Sequence, residues 1–454
     1  MTTAIVWFRS DLRLVDNPAW AAATADADRV VPLFVVDPVL WDRSGEPRRR
    51  QLAAHLDALD RTLVGRGGRL TVRRGDPADL VVRLARESGA DAVYWNDDVT
   101  PYARRRDARV AGALGDAAVV HQGRYVHAPG RIRTEAGDPY RVFTPFHRRW
   151  AATPWDPWPE SGEASVSADP GDGVPEEGAG VMAGGEHAAA DRLAVFLDRV
   201  DGYDEERDRP DLDTTSRLSA DLKFGAIAPR TVAAGVGDET EARRGFVRQL
   251  AWRDFYAAVM DAFPHTATRA MRSEYDGIRW RDDPEALAAW REGRTGYPIV
   301  DAGMRQLAAE GWMHNRVRMI TASFLVKDLL IDWRLGERHF RRMLVDADVP
   351  QNVGNWQWVA GTGTDAAPYF RVFNPVAQGK RFDPNGEYVR RWVPELAGLE
   401  APAVHAPWEA GPLEVSAAGV VLGDTYPAPI VDHAEARVEA LAAYEAARNR
   451  PGQA

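Results

Sequence analysis

One helical segment carries four polar or aromatic side chains at the spacing of a single helix face. In VRQLAWRDFYAAV, Gln249, Trp252, Arg253 and Tyr256 follow one another at steps of three, one and three residues. An amide, an indole, a guanidinium and a phenol are unusual on a face that packs into a core. Together they suit a pocket that stacks a flat ligand and hydrogen-bonds its edges. A solvent-exposed edge of an amphipathic helix gives the same spacing.

Hydroxyl side chains surround an arginine immediately before another helical pattern. In TTSRLSADLKFG, Thr214, Thr215, Ser216 and Ser219 flank Arg217. The start of a helix binds phosphate through its backbone N–H groups, and an arginine adds charge-assisted hydrogen bonds. An ordinary helix N-cap has the same composition, so the segment indicates either a phosphate site or a cap.

A tryptophan-rich stretch over residues 312–374 also contains carboxylates and carboxamides close together. Asp346, Asp348 and Asn352 lie just before two tryptophans. Such oxygen ligands could bind a metal ion, but no histidine lies at ligand spacing and nothing resembles a calcium loop. The neighbouring aromatic residues favour a polar rim that hydrogen-bonds a heterocycle, and no metal is predicted.

The composition excludes several classes of protein. The 454 residues include no cysteine, which excludes disulfides, thiolate metal sites and cysteine nucleophiles. The formal net charge is −10, so any nucleic-acid site must be a local basic patch. No apolar run approaches the roughly 18 residues of a membrane span, and the N-terminus is typical of a strand rather than a signal peptide. We therefore expect a cytoplasmic protein of two or three domains.

Arginine supplies almost all of the positive charge. All but three of the 57 basic residues are arginines, the lysines being Lys223, Lys327 and Lys380. Arginine favours planar, bidentate phosphate contacts. GC-rich codon usage produces the same bias.

Two kinds of hydrophobic pattern divide the chain. Over residues 1–128, apolar runs alternate with helical patterns, which predicts an α/β domain with a five-stranded parallel sheet. Residues 129–188 are the predicted interdomain linker, rich in Pro, Gly and acidic residues from position 152 onwards. Over residues 189–450 the spacing predicts an all-helical domain. The absence of G-x-G-x-x-G after the first strand argues against an ordinary dinucleotide site.

These residues and their surroundings resemble the cryptochrome/photolyase family, in particular its bacterial class I cyclobutane pyrimidine dimer (CPD) photolyases. The resemblance spans nearly the whole chain outside residues 152–188. It implies a deoxyribodipyrimidine photo-lyase, a DNA-binding carbon–carbon lyase with a Rossmann-like α/β antenna domain and a helical FAD domain. Photolyases flip the damaged bases out of the duplex, and blue light drives their repair. The matching segments are WFRSDLRLVDN, RVFTPF, TSRLS, QLAWRDFY, TGYPIVDAGMRQL, GWMHNRVRMITASFLVKDLLIDWR, DADVPQNVGNWQW, GTGTDAAPYFRVFNP and RWVPEL.

The resemblance implies an FAD site assembled from several segments. Asn352 would face flavin N5, where the carboxamide, unlike the Asp of plant-type cryptochromes, does not readily give up a proton. This favours the anionic, fully reduced flavin that donates the electron for repair, and Arg318 would stabilise its charge. The implied FAD-binding residues are Tyr203, Thr215, Ser216, Arg217, Leu218, Ser219, Asn315, Arg318, Asp346, Asp348 and Asn352.

The resemblance also implies a lesion pocket and phosphate contacts. Gln249 stands where most relatives have Glu, and Gln also occurs there in (6-4) photolyases. Those enzymes have two histidines near the lesion, where this chain has Asn315 and Met319, so CPD is the predicted substrate. The implied dimer contacts are Gln249, Trp252, Asn315, Met319 and Trp358, and the implied phosphate contacts are Arg207, Arg253, Arg316 and Arg371.

Two further sets of residues are implied in handling light and electrons. Trp280, Trp333 and Trp356 match the family's electron-transfer triad, which reduces photoexcited oxidised FAD; core packing is the alternative role. Arg48 and Asp98 are the candidates for binding an antenna chromophore near the carboxyl ends of the strands. The predicted chromophore is 8-hydroxy-deazaflavin (8-HDF), with a folate (MTHF) or an empty site as alternatives.

The predicted partner is UV-damaged DNA, and the predicted state is a monomer. A cryptochrome-type blue-light receptor on the same scaffold is the alternative function, and a (6-4) photolyase is the alternative enzyme. Many signalling cryptochromes carry a long C-terminal extension, whereas here one helix and a short tail follow Asp432–His433. This difference and the carboxamide at Asn352 favour repair.

Overall fold

The computed structural model describes residues 1–449, so residue 450, at which the predicted helical domain ends, lies outside the described residues. The chain forms two compact units. The first, called the sheet unit, comprises residues 1–204, 216–267 and 345–351. The second, called the helical unit, comprises residues 205–215, 268–344 and the described chain from residue 352 onwards. The predicted domain boundaries stay predictions.

A parallel sheet forms the centre of the sheet unit, with strand order β3-β2-β1-β4-β5. The prediction of five parallel strands is confirmed, and the predicted linker adds a two-residue strand, β6, beside the start of β2. The strands are β1 (Thr3–Phe8), β2 (Arg29–Val36), β3 (Thr71–Arg74), β4 (Ala92–Asn96), β5 (Ala118–His121) and β6 (Ser165–Val166).

Apolar residues on both faces of the sheet explain why its strands are continuous hydrophobic runs. On β1, Val6 and Phe8 pack into one core, while Ile5 and Trp7 pack into another. This alternation places helices against both faces. The helices up to residue 262 are α1 (Pro18–Asp26), α2 (Pro38–Trp41), α3 (Glu46–Val64), α4 (Pro77–Ser88), α5 (Pro101–Leu114), α6 (Phe143–Ala152), α7 (Glu186–Leu197), α8 (Tyr203–Glu206), α9 (Ser219–Phe224), α10 (Pro229–Val236) and α11 (Glu241–Ala262).

The helical unit is built from packed helices, which confirms the predicted all-α part of the fold. Its interior contains large buried side chains, among them Trp290, Trp333 and Phe324. No helix within residues 1–449 combines the length and the apolar character that a bilayer crossing requires. The remaining helices are α12 (Pro284–Glu292), α13 (Pro298–Glu310), α14 (Asn315–Ser323), α15 (Trp333–Met343), α16 (Val349–Ala360), α17 (Pro375–Phe382), α18 (Glu387–Trp392), α19 (Pro412–Ala417) and α20 (His433–Arg448), with a π-helical turn at Phe324–Asp328.

A close backbone approach within the sheet unit ties the end of α9 to the loop that follows β1. Gly225 ends α9 with φ +72°, and a Cβ there would lie 2.3 Å from the carbonyl oxygen of Ser10. The N–H of Leu12 donates to the carbonyl of Phe224 (3.0 Å), and Arg13 donates to that of Gly225 (3.0 Å). Only glycine satisfies both the left-handed backbone and the short separation.

We predict that Gly225→Ala lowers the free energy of unfolding by about 2–5 kcal/mol, because strain at positive φ adds to a backbone clash. Denaturant unfolding of the purified protein measures this loss. Gly89→Ala is the matched control: Gly89 also ends a helix at positive φ, but nothing lies within 4 Å of its added Cβ. The control should lose only about 1–2 kcal/mol. Equal losses in the two variants would show that the contact with Ser10 contributes nothing.

Candidate functional site

Opposite charges meet inside the sheet unit where β4 and β5 end. Arg124, with 4% of its side chain exposed, forms an ion pair with Asp98 and another with Asp348 at 3.4 Å. The N–H of Thr100 also donates to Asp98 (2.8 Å). Burial alone would raise the pKa of Asp98, but Arg124 and that N–H together hold it below its usual value. The carboxyl edge of the sheet therefore keeps a buried, ionised carboxylate.

A half-buried lysine joins this group from α9. The pKa of Lys223 is lowered to about 7, mainly by loss of solvent around the amine; Arg48 and Arg124 contribute to the lowering, while Asp348 and Asp98 oppose it. The structure thus brings the two predicted antenna residues, Arg48 and Asp98, into the electrostatic range of one amine. We call Arg48, Asp98, Arg124, Lys223 and Asp348 the strand-end cluster.

Sequence reasoning missed Lys223 and Arg124 as members of this cluster. One signal was available for the lysine. In a chain that uses arginine at nearly every basic position, a lysine marks a place where the larger, permanently charged guanidinium is not used. Arg124 carried no such signal, because it is one arginine among many.

Asp348 was predicted to bind the cofactor, and its surroundings fit a polar ligand. Its Oδ2 pairs with Arg124, whereas its buried Oδ1 has no hydrogen-bond partner within residues 1–449. A buried acceptor without a partner is costly, so a ligand donor or a water molecule is expected there. Asp346, two residues earlier, is also buried.

The four-residue face of α11 divides by depth. Gln249 and Trp252 are half-buried, while Arg253 and Tyr256 are buried. The Trp252 ring stacks on Phe143, with centroids 3.7 Å apart and planes 9° apart, and the Gln249 amide donates to the carbonyl of Gly245 (3.1 Å). Phe143 therefore fixes the plane that Trp252 would offer to a base.

Arg253, a predicted phosphate contact, hydrogen-bonds backbone carbonyls of the protein. Its side chain is 8% exposed, and its guanidinium donates to the carbonyls of Arg124 (2.5 Å) and Leu222 (3.2 Å). These two hydrogen bonds use only part of the five N–H donors of the guanidinium, so the phosphate contact of Arg253 stays a prediction. Helical spacing identified the face of Arg253 but not its depth.

The hydroxyl-rich segment crosses the division between the units, so its residues are described within their own units. In the helical unit, the buried Oγ1 of Thr214 has no partner among the described residues. In the sheet unit, Ser216 Oγ accepts from the N–H of Leu218 (3.3 Å), and Arg217 has φ +51°. The residue before α9 is Leu218, so none of these hydroxyls is the side chain at its N-cap position. The ordinary capping explanation does not apply to them.

In the helical unit, α14 brings together two residues predicted to contact the dimer. The amide of Asn315 lies 3.8 Å from the sulfur of Met319, one turn further along. Arg318 is oriented by donating to the carbonyl of Met313 (2.7 Å). Arg316 pairs with Asp208 at 2.7 Å and lies over the ring of Phe382. A phosphate at Arg316 would therefore share or replace the Asp208 carboxylate.

Helices α15 and α16 place the predicted flavin-facing residue beside the first tryptophan of the triad. The amide of Asn352 donates to the side chain and the carbonyl of Glu337 (2.9 and 3.0 Å). Trp356 is buried against Phe340, with ring centroids 5.0 Å apart, and lies 6.2 Å from Trp290. Sequence reasoning gave neither Glu337 nor Trp290 a role, since nothing in their local spacing points to α16.

The other triad residues differ in depth. Trp333 is fully buried, while Trp280 is half-buried and meets the ring of Tyr444 edge-on, with ring centroids 6.2 Å apart. An electron-transfer path that ends near solvent at Trp280 is consistent with these exposures.

The remaining predicted DNA contacts also differ in exposure. Trp358, a predicted dimer contact, is half-buried. Of the two remaining predicted phosphate contacts, Arg371 is exposed and Arg207 is half-buried.

Family models and full-length relatives both relate this chain to DNA photolyases. Residues 4–163 match the family described as DNA photolyase, and residues 246–446 match the FAD binding domain of DNA photolyase. A protein of Streptomyces griseus named deoxyribodipyrimidine photo-lyase is 46% identical, over 96% of this chain and 98% of its own. One of the same name from Agrobacterium fabrum is 42% identical, over 98% of both chains.

Solved structures with the same fold include a photolyase and a cryptochrome. A bacterial class III photolyase from Agrobacterium tumefaciens superposes with a TM-score of 0.91 at 40% identity, covering 99% of this chain and 98% of that one. A cryptochrome from Synechocystis superposes with a TM-score of 0.88 at 28% identity, covering 97% and 99% of the two chains.

The depressed pKa of Lys223 predicts a pH-dependent stability. Because the folded pKa of about 7 lies below the unfolded value of 10.5, the charged form of the half-buried Lys223 destabilises the fold fully below pH 7. The penalty disappears as the pH rises from 7 towards 10.5. We predict that Lys223→Met raises the free energy of unfolding by about 1–4 kcal/mol at pH 6 and by less at pH 9.

Denaturant unfolding at the two pH values measures this difference. The exposed lysine offers the matched control: Lys380→Met should change the stability little at either pH. A gain for Lys223→Met that is the same at pH 6 and pH 9, or a loss at pH 6, would contradict the assigned cost of the buried charge.

Proposed function

This chain belongs to the DNA photolyase family, and we propose that it is a deoxyribodipyrimidine photo-lyase that repairs cyclobutane pyrimidine dimers in UV-damaged DNA with light. The observation that carries the proposal is end-to-end similarity, at 42–46% identity, to relatives with that name. The polar groups without protein partners at Thr214 and Asp348, each within its own unit, support a bound polar cofactor.

FAD is the cofactor of the proposed reaction. When bound, reduced and excited, it supplies the electron that opens the cyclobutane ring. In the sheet unit, Tyr203, Asp346, Asp348 and residues 216–219 would hold it, and in the helical unit Thr215, Asn315, Arg318 and Asn352 would do so. The ionic and amide groups would orient it and balance its charge, and none of them needs to transfer a proton.

Recognition of the lesion is assigned to the aromatic and amide groups described above. Trp252, whose ring plane is fixed by stacking on Phe143, would stack on the dimer, and Gln249 would hydrogen-bond the base edges. In the helical unit, Asn315, Met319 and Trp358 would complete the contacts. Because Asn315 and Met319 stand where (6-4) photolyases have histidines, we propose CPD rather than (6-4) photoproducts as the substrate.

Phosphate contacts are proposed for Arg207, Arg316 and Arg371, which would position the duplex without reading its sequence. Arg253 is proposed as a fourth phosphate contact, and its hydrogen bond to the backbone of Arg124 would orient the guanidinium. We further propose that the enzyme acts as a monomer in the cytoplasm.

The subclass and the antenna are finer proposals. We propose class I, on the motifs, although a class III photolyase is 40% identical to this chain. A phylogeny that places the chain among class III sequences would overturn this assignment. For the antenna we propose 8-HDF at Arg48 and Asp98, with Lys223 as a third polar contact. Mass spectrometry of the released chromophores separates 8-HDF from a folate and from an empty site.

A blue-light receptor is the second candidate, because a cryptochrome shares the fold at a TM-score of 0.88. The two candidates differ in one activity. A repair enzyme restores pyrimidines in damaged DNA under light, whereas a receptor reduces its flavin under light without repairing DNA.

We predict that the reduced, FAD-loaded protein restores the thymines of an oligonucleotide containing one CPD under blue light. Chromatography of the oligonucleotide before and after illumination measures repair, and a dark sample is the control. An oligonucleotide with one (6-4) photoproduct, run in parallel, should stay unrepaired. Normal flavin photoreduction without CPD repair would favour the receptor, and repair of the (6-4) substrate alone would reassign the enzyme.

We also predict that Trp280→Phe slows photoreduction of oxidised FAD at least tenfold, because phenylalanine is much harder to oxidise than tryptophan. Absorption spectra during illumination with an external reductant measure the rate. The matched control is Trp408→Phe, which removes another half-buried tryptophan of the helical unit outside the proposed triad. Equal rates in both variants and the wild type would remove Trp280 from the path.

A further inference from the structure

The side-chain amide of Asn352 has both of its donors occupied by one residue. The amide nitrogen lies 2.9 Å from the carboxylate oxygen Oε1 of Glu337 and 3.0 Å from the backbone carbonyl oxygen of the same residue. A primary amide has two N–H donors and one carbonyl acceptor. With both donors directed to Glu337, the amide has only its carbonyl oxygen to offer a ligand.

The orientation of this amide follows from the chemistry of its partner. A backbone carbonyl only accepts hydrogen bonds, and an ionised carboxylate also only accepts them. Glu337 is 4% exposed, and Arg341, one turn along α15, lies 3.2 Å from its other carboxylate oxygen. The arginine therefore supports the charged form of the carboxylate. Rotating the amide by 180° would set its oxygen against two acceptors.

Close packing of α15 on α16 keeps Glu337 in this position. A Cβ on Gly336, the preceding residue, would lie 2.1 Å from the Trp356 ring, so the helices meet at a separation that only glycine permits there. Phe340 contacts the same ring. Asn352 and Trp356 are one turn apart on α16, which brings Asn352 to the same line of contact.

We propose that Glu337 is a positioning residue that makes Asn352 a hydrogen-bond acceptor towards the flavin. The inference rests on the proposed function and on the position that the family resemblance implies for Asn352, facing flavin N5. An acceptor at that point favours a protonated N5–H, which the fully reduced flavin carries, over the unprotonated N5 of the oxidised flavin. Glu337 would thereby stabilise the redox state that repair requires without touching the cofactor.

The test is the midpoint potential of the bound flavin in Glu337→Met, measured by spectroelectrochemistry. Methionine has a similar length and removes the side-chain acceptor, so the amide of Asn352 can rotate. We expect about a tenfold weaker preference for reduced over oxidised FAD, the usual effect of one hydrogen bond, which lowers the potential by about 30 mV for two electrons. Glu337→Gln should recover most of this shift, because its Oε1 still accepts.

A control on the same helix separates positioning from stability. Asp332 caps the start of α15 by accepting from the N–H of Arg334 (2.9 Å). Asp332→Ala should lower the melting temperature while leaving the potential unchanged. If Glu337→Met fails to fold, the midpoint potential is measured in Arg341→Met instead, where we expect a smaller shift in the same direction.

Several results would overturn the inference. An unchanged potential in a folded, FAD-loaded Glu337→Met, or in Arg341→Met where that variant must be used, shows that Glu337 does not tune the flavin. A Glu337→Gln variant shifted as far as Glu337→Met shows that charge matters rather than the orientation of Asn352. Wild-type protein that binds no FAD would overturn the proposed function, and this inference with it.

Discussion

Charge that is buried must be matched by charge, and the strand-end cluster depends on this constraint. Arg124 lies in an interior where an unpaired guanidinium would cost several kcal/mol, and its ion pairs with Asp98 and Asp348 offset that cost. These two carboxylates come from positions 250 residues apart in the chain. Pairing them through one arginine fixes the loop after β4 relative to the segment that leads into α16.

The same constraint explains why the lysine is exceptional. Lys223 is held within reach of two arginines and two aspartates, and burial is the main reason why it is a weak base. Because Lys223 can be charged or neutral beside the ion pairs of Arg124, the strand-end cluster can accept an anionic or a neutral ligand. The cluster therefore suits a chromophore with ionisable oxygens better than a purely apolar one.

The sequence pattern was sufficient to predict those parts of the structure that depend on the spacing of neighbouring residues. The parallel sheet followed from apolar runs separated by helical patterns, and the contact of Asn315 with Met319 followed from one helical turn. The sequence pattern did not predict how deeply a side chain is buried, or which residue from a distant part of the chain it contacts. Arg253 shares a helical face with Trp252 yet is more deeply buried, and Glu337 meets Asn352 through the packing of two helices. No periodicity encodes either fact.

The unequal use of lysine and arginine has a practical consequence for handling the protein. Lys327 is buried, Lys223 is half-buried, and the chain has no cysteine, so reagents that acylate primary amines or alkylate thiols meet few targets. Lys380 lies at the surface. Of the three lysine side chains, a fluorescent ester or a surface-coupling reagent would thus reach the exposed Lys380 and the half-buried Lys223, whose lowered pKa leaves more of its amine neutral and reactive at a given pH.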